Sequence, residues 1–275
     1  MLSDTKIIAL YCIVDDLLKG LCHYEDGRRR VSDAEVITTA FVSVLYFGGH
    51  LDNAARFMRL RGYIPRMLDK SRYCRRLHSV SDLLTTLFYS IGHRLKALAG
   101  AATYQLDSFP VPVCDRMRIG RRHLLRHRSS VGYHASMHRY FCGVKVQVLT
   151  LEGIPVEFCV VPGAEHDTQA LGRLPLDVAP ESAIYCDSGY TDYVSEDDLF
   201  EADAVYLKAV RKAKSKRPDA PESAFIKDYM RKRIETDFAQ IKAKMLRHIH
   251  AVTDKGFLLK VTLFVIAYAF DKVAN

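Results

Sequence analysis

Tryptophan is absent from the 275-residue chain, and its seven cysteines are scattered with no Cys-x-x-Cys pair among them. An odd, unpatterned set argues against a disulfide framework and a cysteine-built zinc site, and it fits a reducing compartment. No apolar run reaches the roughly 20 residues that span a bilayer. The most apolar windows, 36–47 and 257–270, read as buried helices, and the second carries Lys260. Met1-Leu2-Ser3-Asp4 lacks the basic start and apolar core of a signal peptide. The expected location is therefore cytoplasmic, with no membrane partner. No internal repeat is visible.

Acidic residues are missing from residues 116–139, which hold seven Arg and four His. They are missing again from 208–217 (KAVRKAKSKR), where six residues in ten are basic. Over the whole chain 40 Lys+Arg face 32 Asp+Glu, a formal net charge of +8. A surplus of that size favours an acidic partner, most commonly nucleic acid. An apolar share of 49% excludes a disordered tail or a low-complexity scaffold. Either basic run could be a solvated loop. Their common placement after strands of one sheet would instead surround an acidic cluster with phosphate-binding charge.

The first hundred residues read as helical. Ser32-Asp33-Ala34-Glu35 has the form of a capping box before the run from Val36, and Gly48-Gly49 stops that helix. Further helices are expected over 53–60 and 81–98. With Arg56, Arg59, Arg61, Arg66, Arg72, Arg75 and Arg76 on and between them, they suit a helix-turn-helix reader of DNA or a plain bundle with a basic face. After Ala101 the period changes. A short strand over 103–108 ends in an acid; Val144, Val146 and Val148 alternate with polar residues, and 154–161 returns as the second arm of a hairpin. Asp167 can cap a helix running to about Leu174. Then follow a strand at 183–187, a helix at 195–202, a strand at 204–207 and a long C-terminal helix. This is the element order of a ribonuclease-H-like mixed α/β sheet. The expected domains are a helical N-terminal region, 1–100, and a catalytic domain, 101–275.

Two segments carry the chemistry: Leu106-Asp107-Ser108-Phe109-Pro110 and Tyr185-Cys186-Asp187-Ser188-Gly189-Tyr190. Each puts an Asp at the end of an apolar strand, where sites of α/β sheets collect. If the strands are neighbours, the two carboxylates repel unless a cation lies between them. Mg²⁺, a hard ion that takes carboxylate oxygens, suits that place. Asp-Ser and Ser-Gly are also ordinary turn residues. In the helix over 229–246, Met230, Ile234, Phe238, Ile241 and Met245 form one buried stripe. At about 100° per residue, Arg231 and Lys242 project within about 40° of Glu235. That face suits a metal-ligating carboxylate flanked by phosphate-holding cations, or a surface salt-bridge ladder.

The motifs together resemble the bacterial insertion-sequence transposases of the D-D-E type, most closely the insertion sequence 982 family. The resemblance rests on LDSFPVPVCD (106–115), the segment 140–148, PVEF (155–158), YCDSGYTDY (185–193), SKRP (215–218), RKRIET (231–236) and HIHAVTDKGFLLKV (248–261). It implies Asp107, Asp187 and Glu235 as the catalytic and metal-binding triad of a ribonuclease-H-like domain. Transposases of the insertion sequence 4 type carry Y-x2-R-x3-E-x6-K around the last acid. Arg231, Glu235 and Lys242 match that spacing, whereas position 228 is Asp and the tyrosine is Tyr229.

The expected activity is Mg²⁺-dependent cleavage at element ends and strand transfer into target DNA, with two ions and with Mn²⁺ able to substitute. Arg231, Lys242, Arg118, Arg121, Arg122, Arg126, Arg128, Arg211, Lys212 and Lys214 are the expected contacts to double-stranded DNA. Recognition of the ends falls to the N-terminal helices, and joining two ends implies a homodimer or larger synaptic complex. The rivals are a nuclease of the same fold and a non-catalytic DNA-binding protein. Asp192 is expected to be structural, Asp115 to support the site, and Asp237 to point away from Glu235. His123, His127, His134 and His138 match no zinc-site spacing.

Overall fold

The computed structural model describes residues 3–134, 137–244 and 249–274, without the side chains of 115–117. Met245 of the expected stripe and His248 of the last motif lie outside these residues. Chain contacts divide the molecule into a helical unit, residues 1–91 with 241–275, and a sheet unit, residues 92–240.

The helical unit holds α1 (Asp4–Gly20), α2 (Asp33–Phe47), α3 (Leu51–Leu60), α4 (Lys70–Ser79) and most of α5 (Ser81–Ala99). Ser32 accepts the Glu35 N–H while Glu35 reaches back to the Ser32 N–H, so the capping box forms as expected. Gly48 ends α2 at φ 55°, a left-handed conformation that glycine adopts without a Cβ penalty. α2 is apolar on nearly every face and needs cover on every side. One cover is the last helix, α9 (Asp254–Val273), where Phe270 meets Phe41 with ring centroids 4.7 Å apart. By chain contacts, residues 241–275 group with the helical unit. Both helices are buried along most of their length.

The sheet unit holds β1 (Thr103–Asp115), β2 (Val131–His134), β3 (Arg139–Leu151), β4 (Ile154–Pro162), α6 (Asp167–Leu171), β5 (Ala183–Cys186), α7 (Tyr193–Asp203), β6 (Tyr206–Ala209) and most of α8 (Pro221–Lys244). β1 lies between antiparallel β3 and parallel β5, with β4 and β2 on β3 and β6 parallel to β5. Three antiparallel strands followed by parallel crossovers on the other side of β1 define a ribonuclease-H-like sheet. Tyr104, Leu106, Ile184, Cys186 and Leu207 fill one face against α6 and the residues after it. On the other face Phe109 meets Phe238 of α8, centroids 6.3 Å apart. Met230, Ile234, Phe238 and Ile241 of α8 are all buried, as their spacing requires.

β1 runs seven residues beyond the strand end expected at Ser108. β5 stops at Cys186, so from Asp107 onward β1 pairs with β3 alone. Pro110 and Pro112 have the same parity in that ladder and can leave their missing N–H on the open edge, which is why prolines are tolerated there. Glu157, wholly buried on β4, accepts Lys96 Nζ at 2.6 Å and the Leu176 and Asp177 N–H groups at 2.8 and 3.1 Å. Among the described residues, no single helix is long and apolar enough to cross a membrane.

A Cβ at Gly143 would stand 2.2 Å from the Val111 carbonyl oxygen, and backbone cannot step aside for it. Gly143→Ala is expected to destabilise the sheet unit by about 2 kcal/mol or more, read as a lowered urea midpoint.

Candidate active site

The parallel register pairs Leu106 with Cys186, so Asp107 and Asp187 follow directly on adjacent strands. Adjacent strands lie about 4.8 Å apart, and equal register sends both side chains to one face. That face also carries Phe109, hence α8. Each Asp turns one oxygen back onto the next backbone amide: Ser108 N–H to Asp107 Oδ1 and Ser188 N–H to Asp187 Oδ1, both 2.7 Å. The two Asp-Ser pairs thus serve the same local purpose. They satisfy the amide at a strand end and fix the carboxylate's direction.

Glu235 stands on α8 with its side chain 60% exposed, and Arg231 donates to its Oε1 from Nε at 3.2 Å and Nη2 at 3.0 Å. The hydrogen bond to Glu235 and its charge hold the Arg231 guanidinium above its ordinary range, with a smaller pull from Asp187. Arg231 is therefore bound to Glu235 and also feels the charge of Asp187. The three carboxylates are not drawn into metal-bridging contact. Among the described residues, the one trio of potential ligand atoms all within 4.8 Å of one another is His23, Glu25 and Asp33. By spacing, that trio could hold a divalent cation. Asp33, however, already carries Arg29 Nη1 at 3.0 Å and Arg76 Nη2 at 2.6 Å, and two guanidiniums on one carboxylate oppose a further cation.

Asp167 is a neighbour of the site that the sequence presented only as a helix cap. His166 is the cap in fact, and Asp167 opens α6. Its Oδ1 accepts Ser108 Oγ at 3.0 Å and faces Lys145 Nζ at 3.4 Å. Beneath lies Tyr190, 1% exposed. Burial, then the charges of Asp167 and Asp107, push its hydroxyl well above the ordinary tyrosine range. Nothing local in the sequence joins residue 108 to residue 167; only the sheet does. Asp192 caps α7, accepting Val194 N–H and Ser195 Oγ. Asp237 lies 3.2 Å from where a Gly153 Cβ would be, on the strand-turn side of α8. The side chain of Asp115 lies outside the described residues.

The expected DNA contacts separate into two groups. Arg118, Arg121, Arg126 and Arg128 are exposed on the loop after β1, and Lys212 and Lys214 are exposed on the loop after β6. With His166, Ser188, Gly189, Thr191, Tyr193 and Ser215, these two lysines line a cleft of about 370 Å³ beside Asp187. Arg122 and Arg211 have other work. Arg122 donates to the carbonyls of Ile119, Leu125, Arg126 and His127 and so staples its own loop. Arg211 forks onto the nearly buried Glu196 and lies 5.3 Å over the Tyr193 ring. Arg217 covers the same ring at 4.8 Å. Lys242 is exposed near the end of α8, about two turns past Glu235.

The ribonuclease-H-like sheet carries Asp107 on β1 and Asp187 just past the end of β5, and Glu235 stands on α8. The chain belongs to the transposase DDE domain family, whose sequence model matches residues 103–270. Comparison with curated proteins and with solved structures returned no match.

The raised Tyr190 hydroxyl has a pH consequence. A group whose pKa is raised on folding contributes stability that is present below its unfolded value, near 10, and is lost as pH rises through the folded one. Alkaline unfolding is expected to begin above pH about 10. Tyr190→Phe should shift that onset upward in a circular-dichroism titration; an unchanged onset would assign the loss to other groups.

Proposed function

We propose that this chain is a D-D-E transposase, most similar to the insertion sequence 982 family, that cleaves at element ends and joins them to target DNA. The observation that carries the reading is the β1–β5 register, which puts Asp107 and Asp187 next to each other on the sheet face that carries α8, where Arg231 is bound to Glu235. Three carboxylates on a sheet and a helix are hard oxygen donors, and two are already oriented by backbone amides. That donor set fits Mg²⁺, or Mn²⁺ in its place, better than any soft or borderline metal. Asp107, Asp187 and Glu235 would hold the ions. Two ions held there would supply what side chains lack, a nucleophile ionised at neutral pH and a neutralised leaving 3′ oxygen.

The protein's own groups then do the positioning. The Ser108 and Ser188 amides keep the two aspartates from rotating. Arg231, paired with Glu235 on α8, would exchange that acid for a non-bridging oxygen of the scissile phosphate, a charge-assisted contact suited to guanidinium. Lys212 and Lys214 line the cleft next to Asp187 and would hold the neighbouring backbone. The exposed arginines 118, 121, 126 and 128 would extend that track. Hydrolysis and strand transfer are both displacements at phosphorus, so one set of groups serves both steps. Two ends must be handled together, so a homodimer or larger synaptic complex is the working assembly, acting on chromosomal DNA in the cytoplasm.

Asp107→Asn is expected to bind end-bearing duplex DNA as the wild type does, and to lose Mg²⁺-dependent nicking and joining by at least about 1,000-fold on a gel. Wild-type product from this variant would overturn the site. Tight wild-type binding with no metal-dependent product would make the protein a DNA-binding protein instead.

A further inference from the structure

Five arginines, Arg29, Arg30, Arg72, Arg75 and Arg76, line one open pocket of about 450 Å³ in the helical unit, with Val31 and Leu68. Arg29 and Arg30 come from the loop before α2. Arg72, Arg75 and Arg76 stand at i, i+3 and i+4 on α4, a spacing that puts them on one helix face. Tyr73 and Leu77 anchor the opposite face in the core, and the Tyr73 hydroxyl donates to the Val36 carbonyl at 3.1 Å. Converging guanidiniums repel one another, so the cluster needs something to hold it. Part of the answer is Asp33, 1% exposed at the start of α2. One of its oxygens takes Arg76 Nη2 at 2.6 Å; the other takes Arg29 Nη1 at 3.0 Å and His23 Nε2 at 2.9 Å. The Asp33 N–H is in turn held by Glu25 Oε1 at 2.8 Å. Arg72 faces Asp69 at 3.3 Å at the surface. One buried acid thus fixes two arginines as the floor, and the positive charge of the pocket exceeds what its acids cancel.

We infer that this pocket is a phosphodiester clamp that seats the backbone of duplex DNA on the helical unit without reading its sequence. The inference rests on the proposed action on DNA and assigns this face its role in it. Guanidinium is the side chain suited to phosphate, because its fork donates to two oxygens at once. Phosphate contacts set register and carry no base information. A base-edge reading by arginine uses a single guanidinium forked onto guanine, whereas five guanidiniums converging on one pocket match the density of backbone phosphate charge. On this inference the arginine pocket supplies the sequence-independent part of the affinity. His23, Glu25 and Asp33 are then the hub that orients the clamp.

The test is fluorescence anisotropy of the full chain with two labelled duplexes, one carrying an element end and one unrelated, over a salt series. Arg72→Gln/Arg75→Gln changes only exposed side chains and leaves the Asp33 hub intact, which a thermal melt checks. The expected result is a loss on the order of tenfold or more that is equal on both duplexes, with the salt slope reduced by about 2. A loss confined to the end-bearing duplex would make the pocket a sequence reader and overturn the inference. Unchanged affinity and slope would overturn it too, leaving the DNA reading intact. If the wild type binds neither duplex, the DNA reading itself fails and this inference with it. A parallel arm titrates inorganic pyrophosphate. Stabilisation of the wild type by pyrophosphate, abolished in the variant while DNA affinity stays the same, would assign the pocket to a free anion and contradict the clamp.

Discussion

Everything at the candidate site depends on one strand pairing. β1 and β5 run parallel with Leu106 opposite Cys186, and that register alone decides that Asp107 and Asp187 leave the sheet on the same face at the same height. A slip by one residue would turn one carboxylate into the apolar layer of Tyr104, Leu106 and Ile184. The burial of those residues holds the register, so the apolar layer under the sheet sets the geometry of the polar layer above it. β5 also ends there, which opens the edge of β1 beside Asp107 and lets the chain turn at Ser188 toward the cleft.

Placing two like charges side by side is costly unless something compensates. The molecule compensates in three ways. The Ser108 and Ser188 amides each take one oxygen. Arg231, bound to Glu235 on α8, adds a positive charge that Asp187 feels. Lys145 balances Asp167 underneath. These arrangements orient the acids without drawing all three together. The second carboxylate centre, at Asp33, is balanced differently. Its charge is met by arginines, and it organises a basic surface rather than an acidic one.

Much of this was legible in the sequence because the signals were local. The capping box at Ser32, the hairpin around Glu152-Gly153 and the alternation of Val144, Val146 and Val148 are all set within a few residues. The buried stripe of α8 and the Asp-Ser pairs after apolar strands are of the same kind. What was not legible is non-local. Ser108 meets Asp167 only once β1 and α6 pack, and α9 belongs with α2 because both are apolar all round, a property that names no partner. Arg122 and Arg211 looked like free basic residues because a sequence does not show which carbonyls or acids a loop brings back to them. The strand expected over 103–108 continues to Asp115 because an open edge accepts the prolines of β1.

The central claim is that Asp107, Asp187 and Glu235 form one metal centre. The most direct measurement is a Mn²⁺ titration followed by electron paramagnetic resonance, on the full chain, Asp187→Asn and Asp33→Asn. The account predicts wild-type binding that is lost in Asp187→Asn and kept in Asp33→Asn. Binding that survives in Asp187→Asn and disappears in Asp33→Asn would contradict it and move the metal to the His23, Glu25 and Asp33 cluster.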